Sequence, residues 1–200
     1  MDDHPVMRRG LTQLISEVGN MEVCGEAASK EEALQAIADL VPDLAIIDIS
    51  LGDDNGLEVI KAIKERFPDT RVLVHSMHDE AMFAERVLAA GALGYVGKNE
   101  TSEILIEAIR QVLAGEMHLS PRMMNRVIRR AVGVREAATS ETPLSSLSNR
   151  EIQIFEMIGR GLVTKQIANR LQLSVKTIES HRENIKAKLS AKPELLKTEK

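Results

Sequence analysis

Three short apolar runs, "DLAIID", "RVLVHS" and "LGYVG", each give way to a polar or charged residue, and amphipathic segments separate them. Runs that are apolar at consecutive positions, rather than at every second one, need cover on both faces of a sheet. The segments between and after them, "LEVIKAIKERF", "EAMFAERVLAA" and "TSEILIEAIRQVLAG", repeat apolar residues at helical spacing. Upstream, Leu11, Leu14, Ile15 and Val18 mark a helix with Pro5 in its first turn. "MEVCGEA" reads as one more strand. "SKEEALQAIADL" reads as a helix opened by a Ser29–Glu32 capping box. Helix and strand alternating at this pitch specify a doubly wound parallel α/β domain.

After Gly115 the rhythm stops. "SPRMMNRVIRRAVG" reads as a connector helix and "VREAATSETPLSS" as a linker. From Leu147 onward only short capped helices are expected: "NREIQIFEMIGRG" behind a Ser148–Glu151 capping box, "KQIANRLQL" opened by Thr164, and "VKTIESHRENIKAKL" opened by Ser174. The formal net charge of -4 hides a division. Residues 1–143 hold 15 Lys and Arg against 24 Asp and Glu, whereas residues 144–200 hold 11 against 6. The basic part is therefore the one suited to a polyanion. No run of about 18 apolar residues and no basic leader before an apolar segment occurs, so neither a membrane span nor a secretory signal is expected, and the cytoplasm is the expected compartment. The lone Cys24 cannot build a disulfide framework or a thiolate cage, and is expected to be buried and inert.

Functional side chains of a parallel α/β sheet project from the carboxyl ends of its strands. Those ends carry Asp48, Ser76 and Lys98, and the pair Asp2 and Asp3 stands just ahead of the first helix. Three carboxylates with one ammonium make a site for a hard, oxygen-loving cation such as Mg²⁺, with Lys98 balancing part of the negative charge. Taken in order, "DDH", "IIDISLGDDNGLEVI", "VLVHSMHDE" and "GALGYVGKNE" resemble the receiver domain of two-component response regulators over about residues 2–115. The resemblance implies a flavodoxin-like receiver in which Asp48 is the phosphoacceptor, attacking a phosphohistidine of a sensor histidine kinase. It implies that Asp2 through water, Asp3, Asp48 and the backbone carbonyl of Ser50 position Mg²⁺. Ser76 and Lys98 would bind phosphoryl oxygens, and Tyr95 would turn toward the core as a switch. Ser50 and His78 would line the route of hydrolytic water. Asp53 and Asp54 are expected to be solvated loop residues, and His75 and His78 are too isolated from soft ligands to hold zinc.

On a helical wheel, Ile178, Ile185 and Leu189 share one side of "VKTIESHRENIKAKL", while Lys176, Ser180, Glu183 and Ala187 lie opposite. The block from Leu147 to Leu189 resembles the LuxR-type helix-turn-helix of NarL/FixJ response regulators. By that resemblance Glu179, Ser180 and Glu183 face bases of double-stranded DNA, and Lys165, Lys176, Thr177, His181 and Arg182 contact phosphate or position the helix. The expected division is a receiver over 1–117, connector and linker over 118–143, a helix-turn-helix over 144–190 and a truncated tail over 191–200.

Both ends depart from the pattern. A receiver ordinarily opens with a buried apolar strand leading into the acid pair, and here only Met1 precedes it. The sheet is thus expected to lack its first strand, leaving its neighbours short of ladder partners. LuxR-type units add a fourth helix after "KAKL", and "SAKPELLKTEK" is expected to form at most a frayed turn, weakening a homodimer. Three functions follow: a phosphorylation-controlled DNA-binding regulator with at most slow self-dephosphorylation, a truncated or degenerate regulator that no longer accepts phosphate and acts only as an interaction module or inert fragment, and a phosphohydrolase. The last lacks a second acid two residues after Asp48 and leaves the helix-turn-helix without a role.

Overall fold

The computed structural model describes residues 1–51, 54–132, 146–171 and 173–190. They fall into two compact units, parted between residues 135 and 136. The first unit contains helix α1 (Pro5–Ser16), α2 (Lys30–Leu40), strand β1 (Leu44–Ile47), a two-residue pair β2 (Ser50–Leu51) and β3 (Asp54–Asn55), α3 (Gly56–Arg66), β4 (Arg71–Ser76), α4 (Glu80–Ala90), β5 (Gly94–Gly97), α5 (Ser102–Leu113) and α6 (Pro121–Ala131). β1, β4 and β5 form a parallel sheet in that order, with Ile47 opposite Val74 and Ser76 opposite Gly97. The central β4 is the most buried, as a strand with neighbours on both edges and helices on both faces must be. α1 and α5 cover one face, where Ile15, Leu73, Val96, Leu105, Ile109 and Val112 share a core. α2, α3 and α4 pack one against the next, and α4 lies against β5.

Helix ends follow the sequence closely. Asn55 caps α3 by accepting from Leu57 N at 3.0 Å, and Asp79 caps α4 by accepting from Ala81 N at 2.9 Å. Ser29 caps α2, but Glu32 reaches back to Ala28 N at 2.7 Å, one residue short of a reciprocal box. Gly56 packs so tightly on the turn after β1 that a Cβ there would stand 2.6 Å from the Asp48 carbonyl oxygen.

One expected strand is not formed. "MEVCGEA" runs from Met21 to Ala27 without strand pairing, and among the described residues none of the amides of 21–26 donates to another backbone group. The reason is that a strand is a property of a pair. Between this segment and β1 lie only Met1 and Asp2. The Met1 nitrogen donates to Ile46 O at 2.8 Å, Asp48 N donates to Met1 O at 3.1 Å, and Asp2 N donates to Ala27 O at 3.2 Å. Those two residues bridge the gap as a short parallel rung. Alongside it lies a cavity of about 510 Å³, lined by Leu11, Ile15, Met21, Val23, Ile37 and Leu44 among others. Cys24, expected to be buried, is exposed, because the segment carrying it is not clamped into the sheet.

The second unit holds α7 (Asn149–Gly159), α8 (Thr164–Arg170) and α9 (Val175–Ser190), with no strand among its described residues. Ser148 and Glu151 form the expected capping box, and Gly161 follows α7 at φ 82°. Leu147, Ile154, Ile167 and Ile178 are fully buried at its centre. Glu151 also accepts from Lys188 Nζ at 2.6 Å, pinning the start of α7 to the end of α9. The expected linker and tail, 133–145 and 191–200, lie outside the described residues, as does Asp53.

Candidate functional site

The three sheet strands end at one edge, and their last turns deliver polar groups there. β1 stays apolar to Ile47 and then presents Asp48, which is 3% exposed. β4 ends on Ser76, fully buried, and its carbonyl accepts from Lys98 N at 2.8 Å, fixing the start of the Lys98 side chain just past β5. The Lys98 Nζ then lies 2.5 Å from Asp2 Oδ2 and 2.6 Å from Asp48 Oδ2, with all three side chains almost completely buried. A single ammonium therefore joins two carboxylates that are 46 residues apart in the chain. The second oxygen of Asp48 accepts from Ser50 N at 3.1 Å, and that of Asp2 from His4 N at 2.8 Å.

The charges of this cluster support one another. Burial would raise the Asp2 carboxyl, but the hydrogen bonds from Lys98 and the His4 amide leave it below the ordinary carboxylate range. Burial would likewise lower Lys98, yet its two carboxylate partners hold it above the ordinary lysine range. Arg8, one turn into α1, donates to Asp2 O at 2.8 Å and pairs with Glu26 at 3.1 Å, so the acid pair is held from below. Neither Arg8 nor Glu26 stood out in the sequence. An arginine a helical turn after an acid pair is a common surface pattern, and only the fold brings it to the Asp2 backbone.

Asp3 stands apart from the ammonium. Its side chain is 30% exposed and lies 2.7 Å from His4 Nδ1, without the alignment of a hydrogen bond. Its Oδ1 is thus a buried oxygen lacking a hydrogen-bond partner. Asp2, Asp3 and His4 can each bring a ligand atom within 4.8 Å of the others. The carboxylates of Asp2 and Asp3, the latter with an oxygen that accepts no hydrogen bond, fit a hard divalent cation, while Asp48 is not among the groups gathered around Asp3.

On the other side of Asp48, Ser50 Oγ and His78 Nε2 are 2.7 Å apart, closing a bridge between the turns after β1 and β4. The His78 carbonyl accepts from the Tyr95 hydroxyl at 2.8 Å, and the His78 ring meets Phe83 with centroids 4.7 Å apart. Tyr95 points inward and is 2% exposed, and burial pushes its phenol above the usual range. His75, the residue before Ser76, is buried with no partner on Nδ1, and burial pulls its imidazole down to about 4.

In the second unit, Ile178 and Ile185 of α9 are buried, whereas Lys176, Glu179, Ser180, Arg182 and Glu183 are exposed, as is Lys165 on α8. Thr177 is half-buried and tied to Ser174, its Oγ1 2.7 Å from Ser174 Oγ, which makes it part of the helix start. Arg182 donates to Thr164 at 3.4 Å and joins α9 to α8, and His181 is half-buried beside it.

Comparison with known proteins matches residues 1–110 to the response regulator receiver domain and residues 145–194 to the bacterial regulatory proteins of the luxR family. The chain is 37% identical to the oxygen regulatory protein NreC of Staphylococcus carnosus over 200 residues, covering 98% of this chain and 92% of that protein. NreC of Staphylococcus epidermidis is also 37% identical, with the same coverage. Among solved structures, a LuxR-family two-component response regulator from Aurantimonas sp. is 33% identical with a TM-score of 0.60, covering 66% of this chain and 94% of that one. RcsB of Salmonella typhimurium, 24% identical, matches the fold with a TM-score of 0.70 over 98% of this chain and 90% of its own.

Proposed function

Because the chain belongs to the two-component response regulators that join a receiver domain to a LuxR-type helix-turn-helix, we propose that Asp48 is its phosphoacceptor and that the charge state of Asp48 controls DNA binding by α9. A response regulator of this kind is a transcription regulator rather than an enzyme. What carries the proposal is the placement of Lys98 Nζ between Asp2 and Asp48 at the carboxyl ends of the strands.

An Asp48 oxygen attacks the phosphorus of a phosphohistidine on a sensor kinase. A P–O bond forms as the P–N bond breaks, and the electron pair leaves with the imidazole nitrogen. The carboxylates of Asp2, Asp3 and Asp48, with the Ser50 carbonyl, would hold Mg²⁺, which when bound offsets the repulsion between an anionic phosphoryl group and this acidic edge. Asp3 suits a direct ligand, since its Oδ1 has no hydrogen bond to give up. Lys98 has to release one of its two carboxylates to reach a phosphoryl oxygen. The Ser76 hydroxyl, buried at the same edge, donates to another. Ser50 and His78, 2.7 Å apart and two residues beyond Asp48 and Ser76, would line the route of hydrolytic water.

In the second unit the exposed Lys165, Lys176 and Arg182 supply phosphate contacts, with Thr177 and His181 holding the helix start. Glu179, Ser180 and Glu183 face the major groove, where carboxylates can accept from cytosine amino groups. Double-stranded DNA and a sensor histidine kinase are the partners, and the cytoplasm is the compartment where both are met.

The test is acetyl phosphate with Mg²⁺ followed by intact mass. The wild-type chain is expected to gain one phosphoryl group and Asp48→Asn none. An unphosphorylated wild type, or a labelled Asp48→Asn, would overturn the reading.

A further inference from the structure

The stretch that follows α5 does not leave the receiver as a free tether. His118 N donates to Leu93 O at 3.0 Å and His118 O accepts from Tyr95 N at 2.9 Å, so the stretch begins as an added rung on the open edge of β5. Gly94 makes this possible, since a Cβ there would stand 2.9 Å from the His118 carbonyl oxygen. Ser120 then caps α6 with its side chain, while its own N–H donates to Glu80 Oε1 at 2.8 Å, in the first turn of α4. Arg126 donates to Ala81 O at 3.3 Å and pairs with Glu85 Oε1 at 3.1 Å, and Arg130 reaches the other oxygen of the same Glu85. Met123, 1% exposed, anchors the helix in the receiver core.

Two of these anchoring parts, Tyr95 and the start of α4, adjoin the candidate site. Tyr95 binds the connector through its backbone N–H and the turn after β4 through its hydroxyl, on His78 O. α4 begins four residues after Ser76, capped by Asp79 in that same turn. An inward pull on Ser76 would therefore shift the first turn of α4, and with it the acceptors of Ser120 and Arg126.

We propose that α6 is a clasp that reads the receiver's state, held on α4 by Glu80 and Glu85 and on β5 by Tyr95, and that phosphorylation of Asp48 acts on the DNA-binding unit by reseating this helix. The inference rests on the reading of Asp48 as phosphoacceptor. It deepens that reading by naming the element that carries the signal out of the receiver. Glu85 acts as a positioning residue: it touches no phosphoryl group, and one carboxylate answers two arginines a helical turn apart. The bistable part is the turn and α4, and α6 is biased because its anchors belong to them.

Hydrogen exchange on the full chain, with and without beryllofluoride and Mg²⁺, tests the clasp. In the wild type, protection of residues 120–131 is expected to change about tenfold along with that of residues 76–90, the scale of ordinary coupling between sites. In Glu85→Lys the response of 76–90 stays, while α6 is poorly protected and no longer responds. The charge swap Glu85→Lys with Arg126→Glu and Arg130→Glu restores the α6 response, which a merely destabilised helix would not do. A wild type in which 76–90 responds and α6 does not, or a Glu85→Lys that keeps the full α6 response, overturns the clasp alone. If 76–90 does not respond and intact mass shows no phosphoryl group on Asp48, the phosphoacceptor reading fails first and the clasp with it.

Discussion

At the scale of single residues, Lys98 decides most. Its ammonium is shared by two buried carboxylates, so removing it leaves Asp2 and Asp48 facing each other unpaired. Breaking a buried pair in this way costs about 3 kcal/mol or more. Lys98→Met is expected to lower the unfolding free energy by that amount, seen as a lower urea midpoint at an unchanged slope, and to abolish labelling by acetyl phosphate. Mg²⁺ should raise the midpoint of Lys98→Met more than that of the wild type, because metal and ammonium compensate the same carboxylates; equal shifts would separate the two. His75 sets a different limit. Its imidazole falls to about 4 in the folded state against 6.5 for the free group, so below pH 6.5 the unfolded chain takes up a proton that the folded chain refuses. Stability is therefore lost as pH drops from about 6.5 to about 4, by up to ~3 kcal/mol, and levels off below that. His75→Gln is expected to flatten this part of an unfolding-against-pH curve. Asp2 works in a lower window: its carboxyl is depressed below 3.8, so its contribution is intact above that pH and disappears only as pH falls through its folded value. Lys98 is raised, so its contribution is complete below 10.5 and is lost as pH climbs through its folded value.

At the scale of elements, what was legible in the sequence was whatever an element declares by itself. "DLAIID", "RVLVHS" and "LGYVG" became β1, β4 and β5 because their apolar runs suit a two-sided sheet whatever their neighbours are. That Asp48, Ser76 and Lys98 stand at one edge was legible because strand ends are visible in such runs. "MEVCGEA", whose apolar residues are interrupted by Glu22 and Glu26, did not become a strand, since pairing needs a partner that the local sequence does not encode. The exposure of Cys24 follows from that pairing, and so was equally invisible. The clasp of α6 was hidden for another reason: Glu85 and Arg130 are 45 residues apart, and nothing local marks them as partners. A chemical test separates the strand reading from the observed segment. Cys24 is expected to react with a thiol reagent in the native protein within about tenfold of its rate in the unfolded chain, because no sheet opening has to come first. Amides of residues 22–25 should exchange far faster than those of Val72 and Val74 in β4, and equal protection would show the segment laddered after all.

At the scale of the whole molecule, an acidic stretch of net -9 up to residue 143 precedes a basic stretch of net +5, from 15 against 24 and 11 against 6 charged residues. The basic stretch is the one suited to DNA phosphate, but its exposed face also offers Glu179 and Glu183, for which we propose opposition to nonspecific binding and selection of bases. The two kinds of contact respond differently to substitution. Lys176→Ala removes the phosphate contact proposed for this exposed ammonium, so binding should weaken equally on all sequences and the slope of log affinity against log salt should fall by about 1. Glu183→Ala removes an exposed carboxylate that we propose faces base edges. It should change the sequences recovered from a random DNA pool, at a discrimination of about 1–3 kcal/mol at the affected position, while leaving the salt slope no smaller. Selection from the pool with both variants, followed by titration at several salt concentrations, checks each half. If Glu183→Ala recovers the wild-type sequences, Glu183 is not part of base readout; if Lys176→Ala changes them, its contact is not to phosphate alone.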